Sequence, residues 1–152
     1  MISQGFIAEG EDIIKAVRNR YDGEKRNPWS EIECGHNYAR SMASYALLLI
    51  YSGFSFDMVK KHIGFNPIKQ GDGNYFWSVG NSYGNMQYVD DQRIFSVMGD
   101  EFELVSFGLR SGETAICVAV DGKNIPFKQK GSVVFFSNVK VRSELTIQTK
   151  KT

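Results

Sequence analysis

The pattern of apolar residues changes near residue 65, and this change constrains the fold more than any other feature of the 152-residue chain. Before it, apolar side chains recur every three to four residues, as in amphipathic helices. After it, short runs rich in β-branched and aromatic residues alternate with turns, and most of the 15 glycines lie there. The sequence therefore predicts an α+β chain, with a helical segment at residues 1–67 and an antiparallel β-rich subdomain at residues 68–152.

Two helices are predicted in the first segment. One spans residues 9–21 and carries Ile13 and Val17 on its apolar face. The second runs from residue 36 or 37 to residue 52 and is apolar on nearly every side, so it requires covering by several neighbours. Residues 56–62 could add one or two further helical turns.

The second segment contains eight β-type runs separated by polar turns. They lie at residues 75–79, 86–89, 93–98, 102–109, 115–120, 125–127, 132–136 and 145–149. After the fifth run, Asp121-Gly122 predicts a tight hairpin, because such a turn needs positive φ angles. The spacing of about ten residues predicts antiparallel strands in two layers or a half-barrel.

Charge and composition exclude several classes of partner. The formal net charge is +1, so the chain lacks the basic surface that nucleic acid or an anionic membrane would attract. The apolar run at residues 45–51 is shorter than the roughly 20 residues that span a bilayer, and no signal peptide precedes it, so we expect a soluble chain. Cys34 and Cys117 are expected to be free thiols, although one long-range disulfide stays open. No phosphate-binding glycine motif occurs, and no cofactor is predicted.

Residues 26–45 hold the densest group of reactive side chains. Zinc could bind His36, Glu31 and Glu33, but their spacing matches no standard arrangement. Cys34 and His36 lie too close along the chain to face each other easily as nucleophile and base. Glu31 and Glu33 would be about 6–7 Å apart if extended, yet on one wall of a pocket, whereas glycosidase carboxylates flank the scissile bond. We therefore predict no catalytic or metal-binding residue here.

Sugar recognition is the better interpretation of the same stretch. The Glu31 carboxylate can accept hydrogen bonds from adjacent sugar hydroxyls, and the Arg40 guanidinium can donate in a fixed fork. Trp29 offers a flat apolar face for a pyranose ring, and His36 completes the predicted substrate-binding set. The alternative that stays open is an ion pair between Arg40 and Glu31 or Glu33 that fixes the loop to the helix.

Four motifs occur in order along the first segment: RYDG at 20–23, RNPWSEIECG at 26–35, YARSMASYALLL at 38–49 and HIGFNP at 62–67. Together they resemble the C-terminal end of glycoside hydrolase family 116, the non-lysosomal glucosylceramidases and related bacterial β-glucosidases. The resemblance covers residues 9–67 well. It extends loosely into the strands through FWSVGNSYGNM at 76–86.

This resemblance implies that the helices are the last of an (α/α)6 toroid in a retaining β-glucosidase. The family's catalytic Glu nucleophile and Asp acid/base lie upstream of these motifs and have no counterpart in this sequence. Glu31 and Arg40 match family positions that grip hydroxyls of the innermost glucosyl unit. Relatives often carry His directly before the Tyr, where this chain has Asn37, so local hydrogen bonding differs unless His36 compensates.

The expected function is that of a C-terminal part of a β-glucosidase-like hydrolase, inactive alone. It would act on a β-glucoside or other carbohydrate with an upstream glycosidase fragment as partner. One alternative is a free-standing carbohydrate-binding module, with five rings forming either a sugar platform or sheet core: Tyr75, Phe76, Trp77, Tyr83 and Tyr88. Another is a self-associating interaction module, in which the apolar helix packs against a copy to give a homo-oligomer.

Overall fold

The computed structural model describes residues 1–20 and 42–151, and the chain divides into two units, Met1–Ile50 and Tyr51–Thr152. The first unit contains a short 3-10 helix (Ile2–Gln4), helix α1 (Ile7–Arg18) and most of helix α2 (Met42–Ser52). The helix predicted at residues 9–21 is confirmed with slightly shifted bounds. The second predicted helix is confirmed from Met42 to Ser52, and its predicted start lies outside the described residues.

Eleven strands are described in the second unit, and they form two sheets. Their bounds are β1 (Ser55–Asp57), β2 (His62–Gly64), β3 (Gly73–Val79), β4 (Ser82–Val89), β5 (Gln92–Gly99), β6 (Phe102–Gly108), β7 (Glu113–Val120), β8 (Lys123–Asn124), β9 (Phe127–Lys130), β10 (Val133–Val141) and β11 (Glu144–Lys151). The smaller sheet has the order β1-β2-β6-β10-β9, and the larger has the order β3-β4-β5-β11-β7-β8. The predicted α+β class is confirmed, whereas membership of a toroid stays a prediction.

Residues 56–62 were predicted to add helical turns, and this prediction is wrong. Strands β1 and β2 form an antiparallel pair in which Phe56 lies opposite Ile63. Strand β2 then pairs in parallel with β6, and this places Ile63 beside Phe107. Both Ile63 and Phe107 are almost completely buried. Pairing with a strand about 44 residues further along the chain therefore outweighs the local helical pattern.

Side chains from both sheets meet in one hydrophobic core. Trp77 of β3 stacks on Phe95 of β5 with ring centroids 4.6 Å apart, and Phe95 lies 5.7 Å from Phe107 of the smaller sheet. Burial alternates along the strands: in β4, Met86 points inward and Gln87 lies toward the outer face. Each sheet therefore keeps an outer face on which a few polar and aromatic side chains are accessible.

The hairpin predicted at Asp121-Gly122 is confirmed, with φ angles of 48° and 79° between β7 and β8. The Asp121 carboxylate also fixes the neighbouring β10–β11 turn. It accepts hydrogen bonds from the backbone N–H groups of Arg142, Ser143 and Glu144 and from the Ser143 hydroxyl. Desolvation opposes its ionisation, but these donors prevail and lower the pKa of Asp121 to about 2.

The Asp121→Asn variant should lose stability at neutral pH. Asparagine tolerates positive φ as aspartate does, so the change removes chiefly the charge. Because the pKa of Asp121 is lowered from 3.8, its contribution is complete above about pH 4 and is lost as the pH falls toward 2. We expect a deficit of about 1 kcal/mol at neutral pH, after discounting for solvent exposure. Urea unfolding at several pH values should show this gap closing in acid, and a constant gap would contradict the assignment.

Candidate functional site

The four residues predicted to bind sugar lie outside the described part of the chain. Trp29, Glu31, His36 and Arg40 all fall within residues 21–41. Convergence of Glu31 and Arg40 on a common sugar surface therefore stays a prediction, as does the alternative ion pair. The sites that the structure describes belong to the β-rich unit.

The predicted aromatic platform does not form as a set. Trp77 and Tyr88 are 2% and 1% exposed, so for these rings the interpretation as sheet core is confirmed. Tyr75 is half-buried and contacts the Tyr88 ring edge-on. Phe76 and Tyr83 alone remain largely exposed, as diagonal neighbours on the outer face of the larger sheet.

A buried ionic cluster closes one end of the core. The Arg93 side chain donates from Nε and Nη2 to Glu113 Oε1, at 3.0 Å and 2.7 Å. Its Nη1 donates to the backbone carbonyls of Asp90 and Gln92. Arg93 and Glu113 are each less than 6% exposed. Arg93 therefore ties the β4–β5 turn to the start of β7.

Arg110 is the second cation of this cluster. Its Nη1 lies 3.9 Å from Glu113 Oε1, and its Nη2 donates to the backbone carbonyls of Lys69 and Gly71. Both guanidinium groups lie over the Tyr88 ring, at 4.9 Å for Arg93 and 4.3 Å for Arg110. Two cations thus share one carboxylate and one aromatic ring, an arrangement suited to fixing three chain segments.

This cluster was not predicted from the sequence, although a signal was present. Arg93 stands in phase with Phe95 and Val97, both of which point into the core. A charged residue at an inward position of a strand requires a buried partner of opposite charge. The partner itself could not be predicted from the sequence. Glu113 lies 20 residues further along the chain, and it comes close to Arg93 only because of the order of the strands in the larger sheet.

Three carboxyl groups of the β-rich unit have lowered pKa values through lysine partners. A general acid at neutral pH needs a raised pKa. Lysine partners instead lower the pKa values of Asp57, Glu101 and Glu103, through hydrogen bonds from Lys60, Lys140 and Lys61 respectively. Within residues 1–20 and 42–151, no group of three His, Cys, Asp or Glu side chains could hold a metal ion.

A polar pocket opens on the smaller sheet, where β1, β2, β6 and β10 lie side by side. Its cavity volume is about 180 Å³. Gly64 and Gly108 are paired across β2 and β6 and form its backbone floor. A Cβ atom on Gly108 would lie 3.1 Å from Gly64 Cα and 3.5 Å from His62 Cε1, so a side chain there would enter the pocket.

Among the described residues that line this pocket, His62 is the one with an ionisable side chain. Its Nδ1 lies 2.9 Å from the Oγ atom of Ser106, its neighbour on strand β6. Because Ser106 is only 5% exposed, this hydrogen bond holds the imidazole ring in place. Partial burial lowers the pKa of His62, although Asp57 acts in the opposite direction. The imidazole is therefore neutral at pH 7, and it can either donate or accept a hydrogen bond at its outer nitrogen according to tautomer.

A scan against protein-family models finds no match to the chain, and a search of curated proteins finds no similar sequence. The motif resemblance to glycoside hydrolase family 116 therefore stays a prediction. In residues 1–20 and 42–151, no helix combines the length and apolar character needed to cross a bilayer.

Proposed function

We propose that the chain is the C-terminal part of a β-glucosidase-like glycoside hydrolase. It contributes Glu31 and Arg40 to a glucosyl-binding site and is inactive without the upstream part that carries the catalytic carboxyl groups. The observation that supports this proposal is the exposure of large apolar side chains along both described helices, together with the ordered motifs around them.

Helix α1 exposes Ile13 and Val17, which are 51% and 53% exposed, on the face that the sequence predicted to be covered. Helix α2 exposes Tyr45 and Leu48, which are 65% and 58% exposed. Burial of apolar surface contributes about 25 cal/mol of stabilising free energy for each Å² removed from water. Helices with such exposed apolar faces therefore pack against other elements in a stable assembly. Neighbouring helices of a larger helical body would supply this cover.

The chemistry of the β-rich unit is compatible with a supporting role. Its carboxyl groups with displaced pKa values are all held ionised by lysines or backbone donors. Its most deeply buried charges, Arg93 and Glu113, bind each other and backbone groups rather than an open cavity. Hydrolysis would therefore depend on groups outside this unit.

Turnover of an aryl β-glucoside tests the proposal. The purified chain alone should show none, and mixing it with the polypeptide encoded immediately upstream should restore hydrolysis. Within the mixture, Glu31→Gln should lower kcat/KM by about 10- to 100-fold, because charge-assisted hydrogen bonds to sugar contribute about 1.5–3 kcal/mol. Glu9→Gln, the same change in α1 outside the motifs, is the matched control and should have no effect.

Two results would overturn the proposal that this chain is the C-terminal part of a glycoside hydrolase. Hydrolysis by the purified chain that disappears in Glu31→Gln would place the catalytic groups within these 152 residues. A mixture that forms a complex but gains no activity would remove the glycosidase role, since the helical interface would then serve another purpose.

A further inference from the structure

We propose that the pocket on the smaller sheet binds one neutral sugar unit, and that Phe135 supports a second unit beside it. This site is separate from the predicted Glu31 and Arg40 site and does not rest on the glycosidase assignment. It gives the β-rich unit a binding activity of its own.

The polar groups around the pocket suit a ligand rich in hydroxyl groups. Ser55, Ser111 and Ser132 are among the residues that line it, and all three are exposed. The Asn66 side chain accepts a hydrogen bond from the Ser111 N–H through Oδ1, which orients its amide nitrogen as a further donor. These groups both donate and accept hydrogen bonds, as a sugar hydroxyl does.

The described part of the lining favours a neutral ligand. Among the described residues that line this pocket, none is Lys, Arg, Asp or Glu. With His62 neutral at pH 7, these residues carry no formal charge that could balance a phosphate or carboxylate. A volume of about 180 Å³ lies below the roughly 300 Å³ of pockets for drug-sized ligands, so a single ring is the unit that fits.

Phe135 extends the site along β10. Val133 lines the pocket, and Phe135 lies two residues further on the same face, about 7 Å away by strand rise. Phe135 is 45% exposed, and it lines a second, shallow groove of about 290 Å³ together with Phe127 and Lys128. An exposed ring beside a polar pocket offers a flat apolar surface to the C–H face of the next sugar ring.

His62 provides a local reporter for this site. The chain contains two histidines, His36 and His62, so its imidazole C–H signals in an NMR spectrum form two sets. A His62→Gln variant assigns them. Titrating the full chain with methyl β-glucoside should shift the His62 signals to saturation in the millimolar range, whereas inorganic phosphate should leave them in place.

Variants then separate the two parts of the site. Replacing Ser55, Ser111 and Ser132 together by alanine should weaken binding of methyl β-glucoside at least tenfold, since each lost neutral hydrogen bond is worth about 0.5–1.5 kcal/mol. Phe135→Ala should weaken binding of cellobiose about three- to tenfold and leave methyl β-glucoside unchanged. Phe76→Ala, an exposed phenylalanine of the other sheet, is the matched control.

Several results would overturn the proposal. They are unchanged His62 signals at millimolar sugar, undiminished binding in the triple alanine variant, saturable shifts with phosphate, or loss of the shift in Phe76→Ala. The three serines are exposed, so the triple variant should fold, and far-UV circular dichroism checks that it does. A chain that restores hydrolysis but shows no His62 response would contradict this inference alone.

Discussion

Replacing Glu113 by alanine is expected to lower the free energy of unfolding by about 3–5 kcal/mol, because two buried guanidinium groups lose their shared carboxylate. Arg93 would lose both hydrogen bonds to Oε1, and Arg110 would lose the ion partner at 3.9 Å. Neither cation can reach water without opening the end of the core, since both are less than 5% exposed. Chemical denaturation monitored by circular dichroism measures the loss.

Glu101→Ala is the matched control for this variant. Glu101 pairs with Lys140 and Arg142 on the surface, where solvent screens the interaction, so its removal should change stability little. Equal effects of Glu113→Ala and Glu101→Ala would contradict a structural role for the buried cluster. A large loss of stability only in Glu113→Ala would show that this end of the core depends on one carboxylate.

The Trp77→Ala variant should have an effect of similar size, about 3–5 kcal/mol, through a cavity in the core. Trp77 stacks on Phe95 and meets Phe102 with ring centroids 5.2 Å apart. Its Nε1 also donates to the Ser96 carbonyl at 3.1 Å, so the substitution leaves a partly buried acceptor without its donor. Thermal or urea unfolding gives the difference directly.

The neighbouring residue supplies the control. Phe76 has the same kind of ring one position earlier in β3, but it is 60% exposed, so Phe76→Ala should change stability by no more than about 0.5 kcal/mol. Comparable losses at Phe76 and Trp77 would contradict the inward and outward alternation of β3. This pair of variants therefore tests which aromatic residues form the core.

Local patterns predicted the parts of the fold that depend on local chemistry. Most of the alternating runs form strands, and Asp121-Gly122 forms the predicted turn. Both features depend only on residues that are adjacent in the sequence, namely the two-residue period of apolar side chains and the positive φ angles of the turn. The strand predicted at residues 125–127 is wrong, because Ile125 and Pro126 lie between β8 and β9 and only Phe127 belongs to a strand. Proline lacks the N–H that an interior strand position requires, and this signal was already in the sequence.

Features that depend on distant pairing could not be predicted. Strand β2 exists because it lies beside β6 and brings Ile63 into the core, and no local pattern marks that partner. The pocket has the same origin, since Ser55, Gly108 and Ser132 come from three segments that meet only through the strand order. The predicted Glu31 and Arg40 site depends on a family resemblance, and both residues lie outside the described residues.

The central claim is that the exposed helical faces belong to an interface with an upstream polypeptide. Introducing an aspartate at Ile13 or Val17 would place a charge on that interface, whereas Glu9→Gln in the same helix would not. Both apolar positions are about half exposed, so these variants should leave the chain folded.

Sedimentation of the full chain with the upstream polypeptide is the most direct test, and aryl β-glucoside turnover can be followed in the same samples. We predict a one-to-one complex that hydrolyses the glucoside. The Ile13→Asp variant should bind the upstream polypeptide much more weakly, whereas Glu9→Gln should bind it unchanged. Separate sedimentation of the two polypeptides, with no turnover in the mixture, would contradict the account.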